Sequence, residues 1–220
     1  MYYQFTKKVD SLTPSQSSRL AEIRQEFFER ATSTKTDRVR ATDDMNMLIS
    51  VLPYAAGYGT DADFTKPSFT WFTSPHKCQE FYQSIRRLRV HTHSVRDSIE
   101  MSPIYGQVIT SRVLQSTNSS LWNQLIDPLW LDRSSKIVEV LADCAWNSLV
   151  DLPWVAQYTF LSEFPEVKLP TEALTRLLAL KQLLSNCFAV WVAPRNIILC
   201  DNPIRVEIQD GQVAGLEFSD

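Results

Sequence analysis

Three histidines and four cysteines are the side chains of this 220-residue sequence best suited to metal or nucleophilic chemistry. Their spacing decides how far that chemistry can be carried. His91 and His93 flank Thr92, so on a strand both imidazoles point to one side and could share a metal, with His76, Asp97 or Glu100 completing the set. A polar connection between two helices is the commoner meaning of such a stretch, and no metal is expected. Cys78, Cys144, Cys187 and Cys200 contain no Cys-x-x-Cys pair, and each lies inside an apolar segment, which is the pattern of buried reduced thiols.

A nucleophile would need one of those thiols, or a serine, beside a histidine and an orienting carboxylate. All three histidines lie between positions 76 and 93, whereas three of the four cysteines lie beyond 143. A hydrolase or transferase site would have to be assembled from dispersed residues, with Cys78, His76 and His91 as its first members, and no catalytic residue is assigned. The five glycines form no Gly-x-Ser-x-Gly elbow, no Gly-x-Gly-x-x-Gly turn and no phosphate loop, so no nucleotide cofactor is expected.

The basic residues concentrate once. Arg86, Arg87, Arg89 and Arg96, with Lys77 upstream, could meet phosphate or an acidic protein, although such clusters are more often solvated helix ends favoured by the macrodipole. No aromatic residues interleave the arginines as a single-strand binding surface requires, so nucleic-acid binding through Arg86 to Arg96 is a third choice. Six tryptophans sit within apolar runs and read mainly as core. Trp and Arg dominate interface hot spots, which makes Arg86, Arg87, Arg89, Trp122 and Trp130 the candidate partner-binding residues.

The elements that must position these side chains follow from local chemistry. Thr13-Pro14-Ser15-Gln16 combines an N-cap hydroxyl, Pro at the first helical position and Gln three residues after the cap, and predicts a helix with Leu20, Ile23, Phe27 and Ala31 on one face. A second helix is expected from Asp37 to Leu52 on Met45, Leu48, Ile49 and Leu52, ended by Pro53. A loop is expected over residues 57 to 68, then a short strand at Phe69–Phe72 and a helix restarting at Ser74-Pro75 with Cys78, Phe81, Tyr82, Ile85 and Leu88 along one stripe. From Ser94 to Trp146 both helical and extended patterns survive, cut by Pro103 and Pro128. A helix is expected from Ser134 to Asn147, where Ile137, Val140, Leu141, Cys144 and Ala145 align. Trp154, Tyr158 and Phe160-Leu161 form an aromatic cluster. Thr171 to Asn186 predicts a last helix with Leu174, Leu177, Leu178, Lys181 and Leu184 on or near one face. Asp210-Gly211 between two alternating runs predicts a hairpin pairing Ile204–Ile208 with Val213–Phe218.

Composition bounds the class. With 44% hydrophobic and 11% aromatic residues the chain can bury a substantial core. A net charge of −3 gives no global attraction to nucleic acid or an anionic membrane. The charge is uneven: residues 1 to 112 carry 15 basic and 12 acidic side chains, net +3, and residues 113 to 220 carry 7 and 13, net −6. The first half could therefore meet an acidic partner. No secretory leader opens the sequence and no apolar run reaches the roughly 20 residues of a membrane span, so a cytoplasmic location is expected.

Several short segments also resemble a known family. Leu12-Thr13-Pro14 before an amphipathic helix, Thr34 to Arg40 before the second helix, Phe69 through Pro75, and Trp191-Val192-Ala193-Pro194 through Asn202-Pro203-Ile204-Arg205-Val206-Glu207-Ile208 are similar to an uncharacterised bacterial domain family whose members sometimes sit beside leucine-rich repeats. The resemblance covers most of the chain, implies no activity and supplies no catalytic residue. The sequence departs from the family's pattern in its degraded middle repeats and in ending after one hairpin.

Together these features predict a single α+β domain over residues 1–220, mostly helical, with a small antiparallel sheet including the C-terminal hairpin. The possible subdivision is a helical part at 1–92 and helices plus hairpin at 93–220. The expected function is non-enzymatic recognition of another protein, with the dispersed-site hydrolase or transferase as its rival.

Overall fold

Helix α1, Pro14–Ala31, is fixed at its start by a reciprocal cap: the Gln16 amide donates to Thr13 Oγ1 at 3.2 Å and the Thr13 amide donates to Gln16 Oε1 at 2.8 Å. Leu20, Ile23, Phe27 and Ala31 are buried, the face the spacing predicts. In this computed structural model, residues 10–51, 67–85, 117, 136–164, 171–193 and 196–220 are described.

Helix α2, Arg38–Val51, begins where Asp37 Oδ1 accepts the Arg40 amide at 2.9 Å and buries Ala41, Met45 and Leu48. Strand β1, Ser68–Phe72, precedes α3, Pro75–Ile85, which buries Cys78, Gln79 and Tyr82. Helix α4, Lys136–Leu141, ends six residues before the predicted Asn147. Its apolar period continues, but the backbone is captured by a strand: Ala145 N donates to Val190 O at 2.7 Å and Ser148 N to Phe188 O at 2.8 Å, so Trp146–Asn147 becomes β2. Asp151–Ser162 forms α5, where the sequence offered only an aromatic cluster. Residues Leu152 through Ala156, Tyr158, Phe160 and Leu161 are all buried, so this helix has no polar face to reveal its period. Pro153 falls in its first turn, where a missing amide costs little.

Helix α6, Thr171–Asn186, buries Leu177, Ala179, Leu180, Leu183 and Leu184 and leaves Leu174 and Leu178 exposed, a face turned from the predicted one. Strands β3, Ala189–Ala193, and β4, Asn196–Cys200, complete a four-stranded sheet in the order β1-β4-β3-β2. The β1–β4 pair is parallel, Ser68 opposite Asn196 and Phe72 opposite Cys200, while β4–β3 and β3–β2 are antiparallel. The main sheet is thus mixed. The C-terminal hairpin, β5 at Arg205–Gln209 and β6 at Gln212–Glu217, is present as a separate two-stranded sheet. The architecture is α+β.

Helix α3 packs on β3 and β4, α2 on α6, and α1 on α5 and α6. A buried polar chain joins α3 to the sheet: Trp191 Nε1 donates to Gln79 Oε1 at 2.9 Å and Gln79 Nε2 to Asp143 Oδ2 at 2.8 Å. Among the described residues no helix is long and apolar enough to cross a membrane.

Candidate functional site

Three of the four thiols, those of Cys78, Cys187 and Cys200, come together, but not as a reactive site, while Cys144, half-buried, accepts from Asn147 Nδ2. Cys78 on α3 is wholly buried with its Sγ 3.8 Å from Leu199 O, and Cys187 Sγ donates to Leu183 O at 3.4 Å. Burial pushes the Cys187 thiol far above its usual pKa, and burial and then the hydrogen bond with Cys78 do the same for Cys200. Cys187 and Cys200 are thus held as neutral thiols, poor nucleophiles. His76 is exposed on α3, two residues before Cys78 and so roughly 200° round the helix, on the side away from it. The pair forms no base and nucleophile. His91, His93, Asp97, Glu100, Arg86, Arg87, Arg89, Arg96, Trp122 and Trp130 lie outside the described residues. No cluster of three or more His, Cys, Asp or Glu side chains among the described residues could hold a metal.

A different site is built where α1 ends, α2 begins and α6 ends. These segments enclose an open groove of about 970 Å³ lined by charged and polar side chains, among them Glu26, Arg30, Lys35, Arg38, Arg40 and Asp201. Its walls are tied by hydrogen bonds between residues far apart in sequence. Asp37 N donates to Asn186 O at 3.1 Å, Asn202 N to Thr36 Oγ1 at 2.7 Å, and Asn202 Nδ2 to Lys35 O at 2.6 Å. Asn202 is buried, so the connection between α1 and α2 is pinned to the exit of β4.

The charges within the groove fall into two sets. Arg30 donates to Glu26 Oε1 and, through Nη1, to Ser185 Oγ at 2.6 Å, while Lys181 Nζ lies 2.9 Å from the same Glu26 oxygen. Burial pulls the Glu26 carboxyl upward, but the hydrogen bonds from Lys181 and Arg30 outweigh it and hold the group below its ordinary value. Arg38 makes two bonds to Asp201, at 3.0 and 2.6 Å, and its guanidinium lies 5.4 Å from the centre of the Trp71 ring. Its charge is fixed in place by geometry. Lys35 and Arg40 have no ion-pair partner among the described residues, and Val39, three-quarters exposed, stands on the groove wall near them.

Sequence reasoning placed the basic partner surface at Arg86 to Arg96 and passed over Lys35 to Arg40. A signal was available. Arg38 and Arg40 occupy the first turn of α2, which holds no acidic residue, although the helix dipole favours anions there. Cations at that end need partners from elsewhere, as Arg38 finds in Asp201 and Trp71. No family model, curated protein or solved structure matches the chain.

Proposed function

We propose that the chain is a protein-recognition module that takes an acidic segment of its partner into the groove between α1, α2 and α6. The observation that carries this reading is the placement of Lys35 and Arg40, two cations without ion-pair partners among the described residues, with the exposed apolar Val39 on the same groove wall. Arg30 and Arg38 are held by Glu26, Ser185 and Asp201, so the wall that carries Lys35 and Arg40 is already in place when a partner docks. Acidic residues of the partner would meet Lys35 and Arg40, and an apolar residue would cover Val39. The net charge of +3 over residues 1 to 112 favours the same class of partner.

The test is binding of a displayed library of acidic peptides to the intact chain, with the bound surface mapped by amide shifts. Peptides carrying several carboxylates and one large apolar residue should perturb residues 35 to 40 and 182 to 186. Reversal of both charges, Lys35→Glu with Arg40→Glu, should weaken binding roughly tenfold or more, as expected for two exposed ion pairs converted to repulsion. Perturbations confined to other surfaces, or affinity unchanged by the reversal, would overturn the reading.

A further inference from the structure

The hairpin carries a second recognition surface, independent of the groove. Strand β5 has one strand neighbour, β6, among the described residues, and its other edge continues from Ile204 to Gln209. Two of the large apolar side chains exposed on the molecule lie along it, Ile204 at 57% and Ile208 at 48% exposure. With the part-buried Val206 between them they share one face of the strand, and Arg205 and Glu207 share the other. The extra residue of the hairpin's bulge is on β6, since Glu207 pairs with Gly215 and Ile208 with Val213. Strand β5 itself runs without interruption.

The sequence of this strand is self-complementary about Val206. When Ile204-Arg205-Val206-Glu207-Ile208 is set antiparallel to a copy of itself with the two Val206 residues opposite, every exposed side chain meets a suitable partner. Ile204 faces Ile208 of the copy, Arg205 faces Glu207, and both pairs recur by symmetry. A shift that sets Glu207 opposite itself brings like charges together, so the register is specified. We infer that β5 is a dimerisation edge, occupied by the β5 strand of a second copy of this chain, which joins two hairpins into a four-stranded antiparallel sheet about a two-fold axis.

Ionic pairs would form on one face of that sheet and an isoleucine-valine cluster on the other. Both are the side-chain pairs that stabilise antiparallel ladders. Glu207 lies over Gly215 in the single chain, its Oε2 within 3.3 Å of where a Cβ would stand there, and must swing outward to reach Arg205 of the copy. Glu207 is exposed, so this movement displaces no core contact. A paired stretch of five residues, Ile204 to Ile208, is a small interface, and the dimer is therefore a weak, concentration-dependent one.

Sedimentation equilibrium of the intact chain from about 1 to about 500 µM, the range in which small interfaces associate, tests the pairing. Dimer should accumulate with concentration. Arg205→Glu and Glu207→Arg should each weaken self-association roughly tenfold or more, because both symmetric pairs become repulsive. An equimolar mixture of the two variants should form a heterodimer, since each glutamate of one chain then faces an arginine of the other. The mixture also shows that both variants are folded. A monomer throughout the range, a dimer insensitive to both substitutions, or variants weakened alone but not rescued together would each overturn the inference. Charge reversal at Lys35 and Arg40 leaves this equilibrium unchanged, so the two surfaces are tested separately.

Discussion

At the scale of single residues, Glu26 shows how a charged groove is made rigid without being made deep. Its carboxylate receives Arg30 from the same helix and Lys181 from α6, and the Lys181 ammonium also lies 4.9 Å from the centre of the Phe27 ring. The folded-state pKa is below the ordinary carboxylate value, so the group binds fewer protons folded than unfolded. Its contribution is present above the unfolded pKa and disappears as pH falls through the folded one. Glu26→Gln should cost about 1 kcal/mol at pH 7, the scale of a partly exposed ion-pair network. Urea unfolding at pH 7 and again well below the ordinary glutamate value of about 4.3 checks this, because the gap between variant and parent should narrow as the carboxylate is protonated in the fold as well. A gap of equal size at both pH values would assign the loss to packing. Asp44 has the opposite sign: burial raises its pKa against the hydrogen bond from Asn186, so its ionised form is disfavoured in the fold.

At the scale of elements, legibility follows the range of the interactions that define each one. The start of α1 depends on four consecutive residues, Thr13 to Gln16, and its buried face on one period, so both are written locally. The hairpin is equally local, since Asp210 at φ 52° and Gly211 at φ 77° provide the two left-handed positions of a tight turn. Helix α5 was illegible because burial nearly all round removed its polar stripe, and α4 was overextended because the strand that captures Ala145 and Ser148 arrives more than 40 residues later. The turn offers a clean measurement. No atom lies within 4 Å of a Cβ added at Gly211, so the loss in Gly211→Ala is conformational alone, about 1 kcal/mol for a left-handed L-residue. Gly211→Asn should lose less, because asparagine tolerates that region. Denaturation midpoints of the three proteins decide it, and equal losses for Ala and Asn would reject the conformational account.

At the scale of the whole molecule, the groove was invisible in the sequence because no segment contains it. Its wall joins the end of α1 and the start of α2 to the end of α6 and to residues 201 and 202, which follow the sheet. Local periodicity says where helices lie, but not which loop reaches which strand exit. Asn202 is the residue on which this assembly turns: its backbone amide holds Thr36 and its side-chain amide holds the Lys35 carbonyl, 167 positions earlier. Asn202→Ala keeps the first bond and removes the second, leaving a part-buried carbonyl without that donor. A loss of about 1–3 kcal/mol follows from that orphaned acceptor. The distribution of the loss matters more than its size. If Asn202 clamps the groove wall, hydrogen exchange in the variant should accelerate at residues 33 to 37 well before it does in β5 and β6, which are paired to each other. Thr36→Val, which removes the acceptor of the other bond, should couple with Asn202→Ala by at least about 0.5 kcal/mol in a double-mutant cycle. Uniform acceleration across the chain, with additive losses, would mean that Asn202 supports the fold at large and that the groove is held by Arg38 and Asp201 instead.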